Sequence, residues 1–512
     1  MKNKDLLNAI NEIDSVYIKE ANEAKFKKRR FGRITAIAAI ASFFAVIGVG
    51  YFVSGIVKDK WQNPEDGEIR GVQPTLEPTG FKESNTGAAF ADFAIVQASY
   101  PECIPYPDET RFDYDSSQEG ADYYKELANW MEKRRERIDQ SGIYLDDLYP
   151  FYEKTMQEFL VSGENTNRIY SPLNLYMALS MLSEITDGNS RAQVLNLLGA
   201  PDIHAVRESA AALWTANYCD DGMVTSILAN SLWMRQGVDF IPETMQTLAD
   251  IYHASSFQGK MGSEEFTKAF RSWLDMQTGG LLNEQAKDVE TDEDTVLELA
   301  STIYFSAQWQ ERFDEKETRE EIFYKADGDV VCDFMHQVQM GICYRGSNFS
   351  AIRCGLEMSG DMWLFLPDET ADVNEVVKDS EILELIHSGG NWNNKIYARI
   401  NIALPKFDIV SDFDLIEGLK AMGLSDIFEE ELADFSPMCQ NSDGISVMQA
   451  KHAARVTVDE KGCVAAAYTI LAMNDGGGIP VEKMDFVLNR PFLFAITGAD
   501  GAVLFLGVVE EP

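Results

Sequence analysis

The chain has 512 residues, 45% of them hydrophobic, which is enough for a large core with appendages. Its 83 acidic residues outnumber 44 basic ones for a net charge of −39, which argues against nucleic acid as a partner because phosphate binding needs a basic face. Seven cysteines without a C-x-x-C spacing exclude a disulfide scaffold, and Cys332, His336, Cys343 and Cys354 lack the spacing of a common zinc motif, so no metal is expected.

Residues 1–33 carry nine Lys/Arg against five Asp/Glu, an excess of four positive charges, so the rest of the chain carries −43 against the −39 total. Ile34–Val57 then runs for 24 residues without a charge, the length of a membrane span. Basic residues precede it and acidic ones come after, so the positive-inside rule predicts a cytoplasmic amino terminus and an extracellular remainder. The long basic lead, the length of the apolar run and the lack of a clear A-x-A cleavage site at its end disfavour a cleaved signal peptide. Residues 58–87 are polar, with several prolines and glycines, and read as a tether. Residues 88–147 mix aromatics with prolines, then turn helical from Tyr123 to Ile138. They read as more linker or as an extension docked on the large domain after it, and the aromatics favour docking.

From about 148 to 512 the chain alternates helical and strand patterns, as an α+β domain does. Phe151–Leu160 reads as a helix, and Asn167–Asn174 as a strand-to-helix entry. Ala229–Trp233 and Ala300–Trp309 read as core strands. Near the carboxyl end, His452–Asp459 is strand-like and leads into a charged turn with Gly462. Then come eleven uncharged residues, Cys463–Met473, and a polar tip, Asn474–Pro480. On pattern alone the uncharged run is a buried strand or helix segment. Read as a strand, it would place Cys463, Ala465, Ala467, Thr469, Leu471 and Met473 on one face, all small or uncharged. Three consecutive alanines have little β-propensity, which fits a segment that is only sometimes a strand.

Asp459-Glu460-Lys461-Gly462 with the small residues after it resembles the serpin family, as do Asn489-Arg490-Pro491-Phe492 and Leu504–Gly507. Asp187–Arg191, Pro405-Lys406-Phe407 and Ile427-Phe428 extend the likeness in order along nearly the whole of 148–512, and the chain resembles bacterial membrane-anchored members. The resemblance implies a serpin fold, mixed β-sheets surrounded by helices with an exposed reactive loop, here behind a transmembrane helix and tether. It implies an inhibitor and suicide substrate of a serine protease rather than an enzyme. No cofactor is implied, and the G-x-S-x-G, H-E-x-x-H and P-loop patterns are absent.

Roles carry over residue by residue. Glu460, Gly462, Cys463, Val464, Ala465, Ala466 and Ala467 match the hinge that inserts into the central sheet after cleavage. Ser171, Asn174 and His452 match the shutter, a buried polar cluster beneath the parting strands. Trp309, Lys406 and Glu460 match the point of loop entry, with Lys406 and Glu460 as an ion pair worth about 0–1 kcal/mol if exposed. Ser301 stands where many members have an asparagine in the shutter strand, the one departure from the pattern there. Counting along the loop puts the reactive bond at Gly476–Gly477, with Met473, Asn474 and Asp475 as alternatives. No Lys or Arg lies between Lys461 and Lys483, which points to an elastase-like or subtilisin-like target. A non-inhibitory binding module and a transmembrane sensor are the rival readings.

Overall fold

The computed structural model describes residues 89–108, 117–280, 291, 293–442, 444–447, 450–463 and 482–512. Residues 1–33, the expected span at 34–57 and the tether lie outside these. So do Val464–Ala467 of the hinge and the reactive-bond candidates Met473, Asn474, Asp475, Gly476 and Gly477. Among the described residues no helix is long and apolar enough to cross a membrane.

The first strand is short, β1 (Ala94–Val96), and two helices come next, α1 (Ser117–Ile138) and α2 (Leu145–Leu160). Both helices begin earlier than their sequence pattern suggested, and α2 starts ahead of the expected domain boundary at 148. After β2 (Arg168–Tyr170), α3 (Pro172–Ile185) starts where Ser171 accepts the Asn174 amide in its hydroxyl and Pro172 supplies the preset φ of a first helical residue. Next are α4 (Gly188–Leu198), closed by the left-handed Gly199, and α5 (Ile203–Asn217), capped by Asp202. Strands β3 (Cys219–Asp220) and β4 (Thr225–Arg235) lead to α6 (Pro242–Tyr252), β5 (Ala254–Gly259), α7 (Glu264–Gln277) and β6 (Leu297–Gln308).

The second half is mostly strand. It runs through β7 (Arg319–Phe323), β8 (Val330–Arg345), β9 (Phe349–Gly355) and β10 (Asp361–Pro367). The small helices α8 (Val373–Val377) and α9 (Glu381–His387) precede β11 (Lys395–Pro405) and β12 (Phe407–Asp414). Helix α10 (Ile416–Ala421) leads to β13 (Lys451–Val458) and β14 (Gly462–Cys463). Strands β15 (Glu482–Val487), β16 (Phe492–Thr497) and β17 (Val503–Val509) end the chain.

Three ladders result. The central one runs β1-β5-β4-β6-β14, with β3 beside β4. The largest runs β15-β11-β8-β9-β10-β16-β17-β2, with β7 beside β8. The third is the pair β12–β13. Strands β16 and β17 are buried at every position and read as continuous apolar runs, since both their faces are covered. One core contains α2, α3 and the inward faces of these sheets. A second, smaller core lies under α7, where Trp233 meets Phe257, Phe266, Phe270 and Trp273. Phe90 of the extension is buried in it, and burial of a ring that size stabilises by about 2–3 kcal/mol. Tyr100, further along the extension, stacks on Tyr218 and lies over Trp214.

Candidate functional site

Asp459 shapes the turn that ends β13. Its carboxylate accepts the amides of Lys461 at 2.8 Å and Gly462 at 3.2 Å, and its own amide donates to the Gly462 carbonyl at 3.1 Å. Gly462 has φ +152, and a β-carbon there would run into the Ala307 carbonyl oxygen, so both backbone angle and space demand glycine. The turn sends β14 back along β6, with Gly462 opposite Gln308 and Cys463 opposite Ala307.

The entry residues converge on this turn. Trp309 is buried, and its indole N–H donates to the Asp459 carbonyl at 2.8 Å while its amide donates to the Lys461 carbonyl at 3.2 Å. It therefore fastens the turn as well as filling core. Lys406 sits in the joint between β11 and β12, with its Nζ 3.0 Å from Glu460 Oε2 and 3.3 Å from Oε1. The pair is not the exposed one expected, because the Glu460 side chain is only 10% exposed, against 37% for Lys406. The Thr318 hydroxyl adds a third contact, donating to Glu460 Oε1 at 2.8 Å. Burial pushes the Glu460 carboxyl up, but the bonds from Thr318, its own amide and Lys406 together outweigh it and hold the group below its usual range. The same hydrogen bond raises the Lys406 ammonium.

The three residues expected to form the shutter are also brought together. The Ser171 amide donates to Nε2 of His452 at 2.9 Å, which fixes that nitrogen as the unprotonated one. Burial alone lowers the imidazole to about 4. Asn174 reaches the other way. Its amide nitrogen donates to the Ser301 carbonyl at 2.7 Å, and the Ser301 hydroxyl donates back to its Oδ1. Ser301 thus takes a place in the network rather than breaking it. The first turn of α3 is bonded to both β13 and β6.

Those two strands are not bonded to each other. Strand β13 pairs along its whole length with β12, from Phe407 opposite Val458 to Asp414 opposite Lys451. Strand β6 pairs with β4, from Thr225 opposite Ser306 to Met234 opposite Leu297. Among the described residues, no backbone bond joins β6 to β13, and β14 borders β6 over two residues only. Among the described residues, β6 therefore meets only the two residues of β14 on the side away from β4.

Sequence reasoning missed two residues here. Thr318, a lone threonine in an acidic stretch, carries no signal of its own. Asn230 lies opposite Ser301 on β4, buried, with its amide nitrogen donating to the Tyr252 carbonyl at 2.7 Å. An asparagine in the middle of a strand run was the available signal.

A family model described as Serpin (serine protease inhibitor) matches residues 151–512. Serpin-ZX of Arabidopsis thaliana is 27% identical over 369 residues, covering 68% of this chain and 93% of that protein. Among solved structures, the thermophilic serpin tengpin in its native state aligns with a TM-score of 0.63 at 23% identity, over 72% of this chain and 93% of its own. AtSerpin1 of Arabidopsis in its native stressed conformation gives 0.61 at 23%, over 73% and 98%. Both share the fold. The likeness to bacterial, membrane-anchored members has no support in these comparisons.

Proposed function

The chain belongs to the serpin family, and on that premise we propose that it is an inhibitory member that traps a serine protease through its own reactive loop. The supporting observation is a match of length and register. The described pairs set Gly462 against Gln308 and Cys463 against Ala307. Continued in that register, a strand would set Met473, the last of the uncharged run, against Leu297, the first residue of β6. Directly opposed residues share a face. Cys463, Ala465 and Ala467 would therefore join the face of Ala307 and Phe305, both in the main core. Small uncharged residues are what such a face admits without burying a charge.

In the proposed sequence, the serine hydroxyl of the protease attacks a loop carbonyl near Gly476 and forms an ester, releasing a new amino terminus. The hinge then inserts along β6 and carries the acylated protease with it, faster than water can release it. An elastase-like or subtilisin-like enzyme fits the uncharged loop, and the strongly acidic chain attracts a cationic one. Residues 34–57 hold the protein in a membrane, with the large domain outside.

Mixing the protein with a panel of serine proteases tests the reading: a complex stable in SDS is expected, and mass spectrometry of the released peptide locates the bond, expected at Gly476–Gly477. Cleavage at every enzyme without a trapped complex would leave a binding module instead. Protease added to intact cells should release the large domain by cutting within 58–87, and release of residues 1–33 would invert the orientation.

A further inference from the structure

Residues 89–108 and α1 precede the family match at 151, and they grip the domain through a pair of thiols. The Asp220 amide donates to Cys103 Sγ at 3.3 Å, and Arg137 Nη1 stands 3.5 Å from the same sulfur. The residue next to Asp220 on β3 is Cys219, whose buried thiol donates to Asp221 Oδ2 at 3.2 Å. Arg134 Nη1 lies 3.2 Å from Cys219 Sγ and 3.1 Å from the same carboxylate oxygen.

The surroundings keep the pair in register. Arg137 Nη2 donates to the Thr215 carbonyl at 2.9 Å and also to that of Tyr218, and the Tyr106 amide donates to the Asp221 carbonyl at 2.7 Å. A sulfur held at the amide beside Cys219 is within a side chain's reach of that residue's own sulfur. Cys103 is partly exposed and Cys219 is buried. Contact with Cys219, outweighing burial, holds the Cys103 thiol down to about 6, and the same contact with burial pushes Cys219 far up. Cys103 is thus the partly exposed thiol that ionises more readily, and Cys219 the buried one behind it.

We propose that Cys103 and Cys219 are a redox-active pair, which a low-molecular-weight disulfide oxidises to a reversible staple between the amino-terminal extension and β3. The Cys103 thiolate attacks one sulfur of the disulfide RS–SR and expels RS⁻. Cys219 loses its proton along its hydrogen bond to Asp221 and on to solvent. Its sulfur then attacks the Cys103 sulfur of the mixed disulfide and expels the second RS⁻. Two protein thiols are oxidised, and one RS–SR is reduced to two thiol equivalents. The staple ties the segment that continues from β1 to the body of the domain, and reductant unties it.

The test uses the full chain, reduced, freed of reductant and exposed to oxidised glutathione at neutral pH, then digested with trypsin without reduction. The tryptic peptides 83–111 and 208–235 each contain one cysteine, and they should appear joined, two hydrogens lighter than their sum. Cys103 should acquire glutathione about tenfold faster than Cys332 or Cys439. In Cys219→Ser the adduct on Cys103 should persist, whereas in Cys103→Ser, Cys219 should stay reduced. Matching thermal unfolding of reduced wild type and variants excludes misfolding as the cause. Hydrogen exchange at Ala94 and Val96 should slow on oxidation and recover with reductant. Absence of the joined peptides in wild type, pairing of Cys103 with another cysteine, or loss of the adduct in Cys219→Ser would each overturn the proposal.

Discussion

The Ser171 amide and Nε2 of His452 meet at 2.9 Å across 281 residues of sequence, tying the start of α3 to β13. That bond requires a neutral ring with its proton on the other nitrogen. Burial lowers the folded His452 to about 4, whereas the unfolded residue titrates near its ordinary 6.5. The unfolded state therefore binds the proton first as pH falls. Stability is full above about pH 6.5, declines toward pH 4 and is lost below, by roughly 3 kcal/mol at most. Unfolding rates measured between pH 7 and 4 should rise, and His452→Gln should flatten that rise. An unchanged slope in the variant would assign the effect to other groups.

Ser301 donates its hydroxyl to Asn174 and receives Asn174's amide on its carbonyl. Ser301→Ala keeps the second bond and strips Oδ1 of its donor. A buried acceptor left unpaired costs about 1–3 kcal/mol, so thermal inactivation should come several-fold sooner. A variant that inactivates at the wild-type rate would mean that water or another donor takes over.

The Lys406–Glu460 pair should respond unequally to removal of either member. Lys406→Met strands a carboxylate that is only 10% exposed, whereas Glu460→Gln leaves a partly exposed lysine and keeps an acceptor for Thr318. The first should cost about 1–2 kcal/mol and the second less than about 1 kcal/mol. Because the folded Glu460 carboxyl is held below its unfolded value, its contribution is present above the unfolded range and fades as pH falls through the folded one. Chemical denaturation of both variants at pH 7 and pH 4 reads the difference. Equal losses at pH 7 would refute the asymmetry.

Ala465→Arg tests insertion itself. In the register extended from β14, residue 465 falls opposite Phe305, on the face that belongs to the main core. A guanidinium on that core face is costly to bury and slows insertion, so the acyl-enzyme hydrolyses first. The variant should be cut as a substrate, with the stoichiometry of inhibition rising at least tenfold. Unchanged trapping would mean that this register is not the one used.

The residues of this region were named from the family resemblance, and some of them also obey short-range rules that leave marks in sequence. Ser171 caps a helix that starts with proline, and Gly462 occupies a backbone angle that side chains rarely adopt. Asp459 before Gly462 announces a side-chain-closed turn. What escaped depends on distant partners. Nothing local marks Thr318 as a donor to Glu460, 142 residues away. Cys103 and Cys219, counted only as two of an odd seven, come together because the described segment 89–108 meets β3 through Cys103 and the Tyr106 amide. That β6 and β13 pair with other strands and, among the described residues, not with each other escaped as well. Each strand's apolar pattern is satisfied by the layers above and below, whichever neighbour lies beside it.

The antiparallel pairing of β1 with β5 bears on self-association. Without Ala94 and Val96, β5 would present its unbonded amides and carbonyls to solvent as the rim of the central sheet. Such a rim is a template for a strand from another molecule. The chain instead covers it with three residues of its own, in a register that shifts between Ala94 and Val96 and so ends the pairing abruptly. A protein cut back past residue 97 would offer β5 to its neighbours, and its solutions should thicken into oligomers as concentration rises.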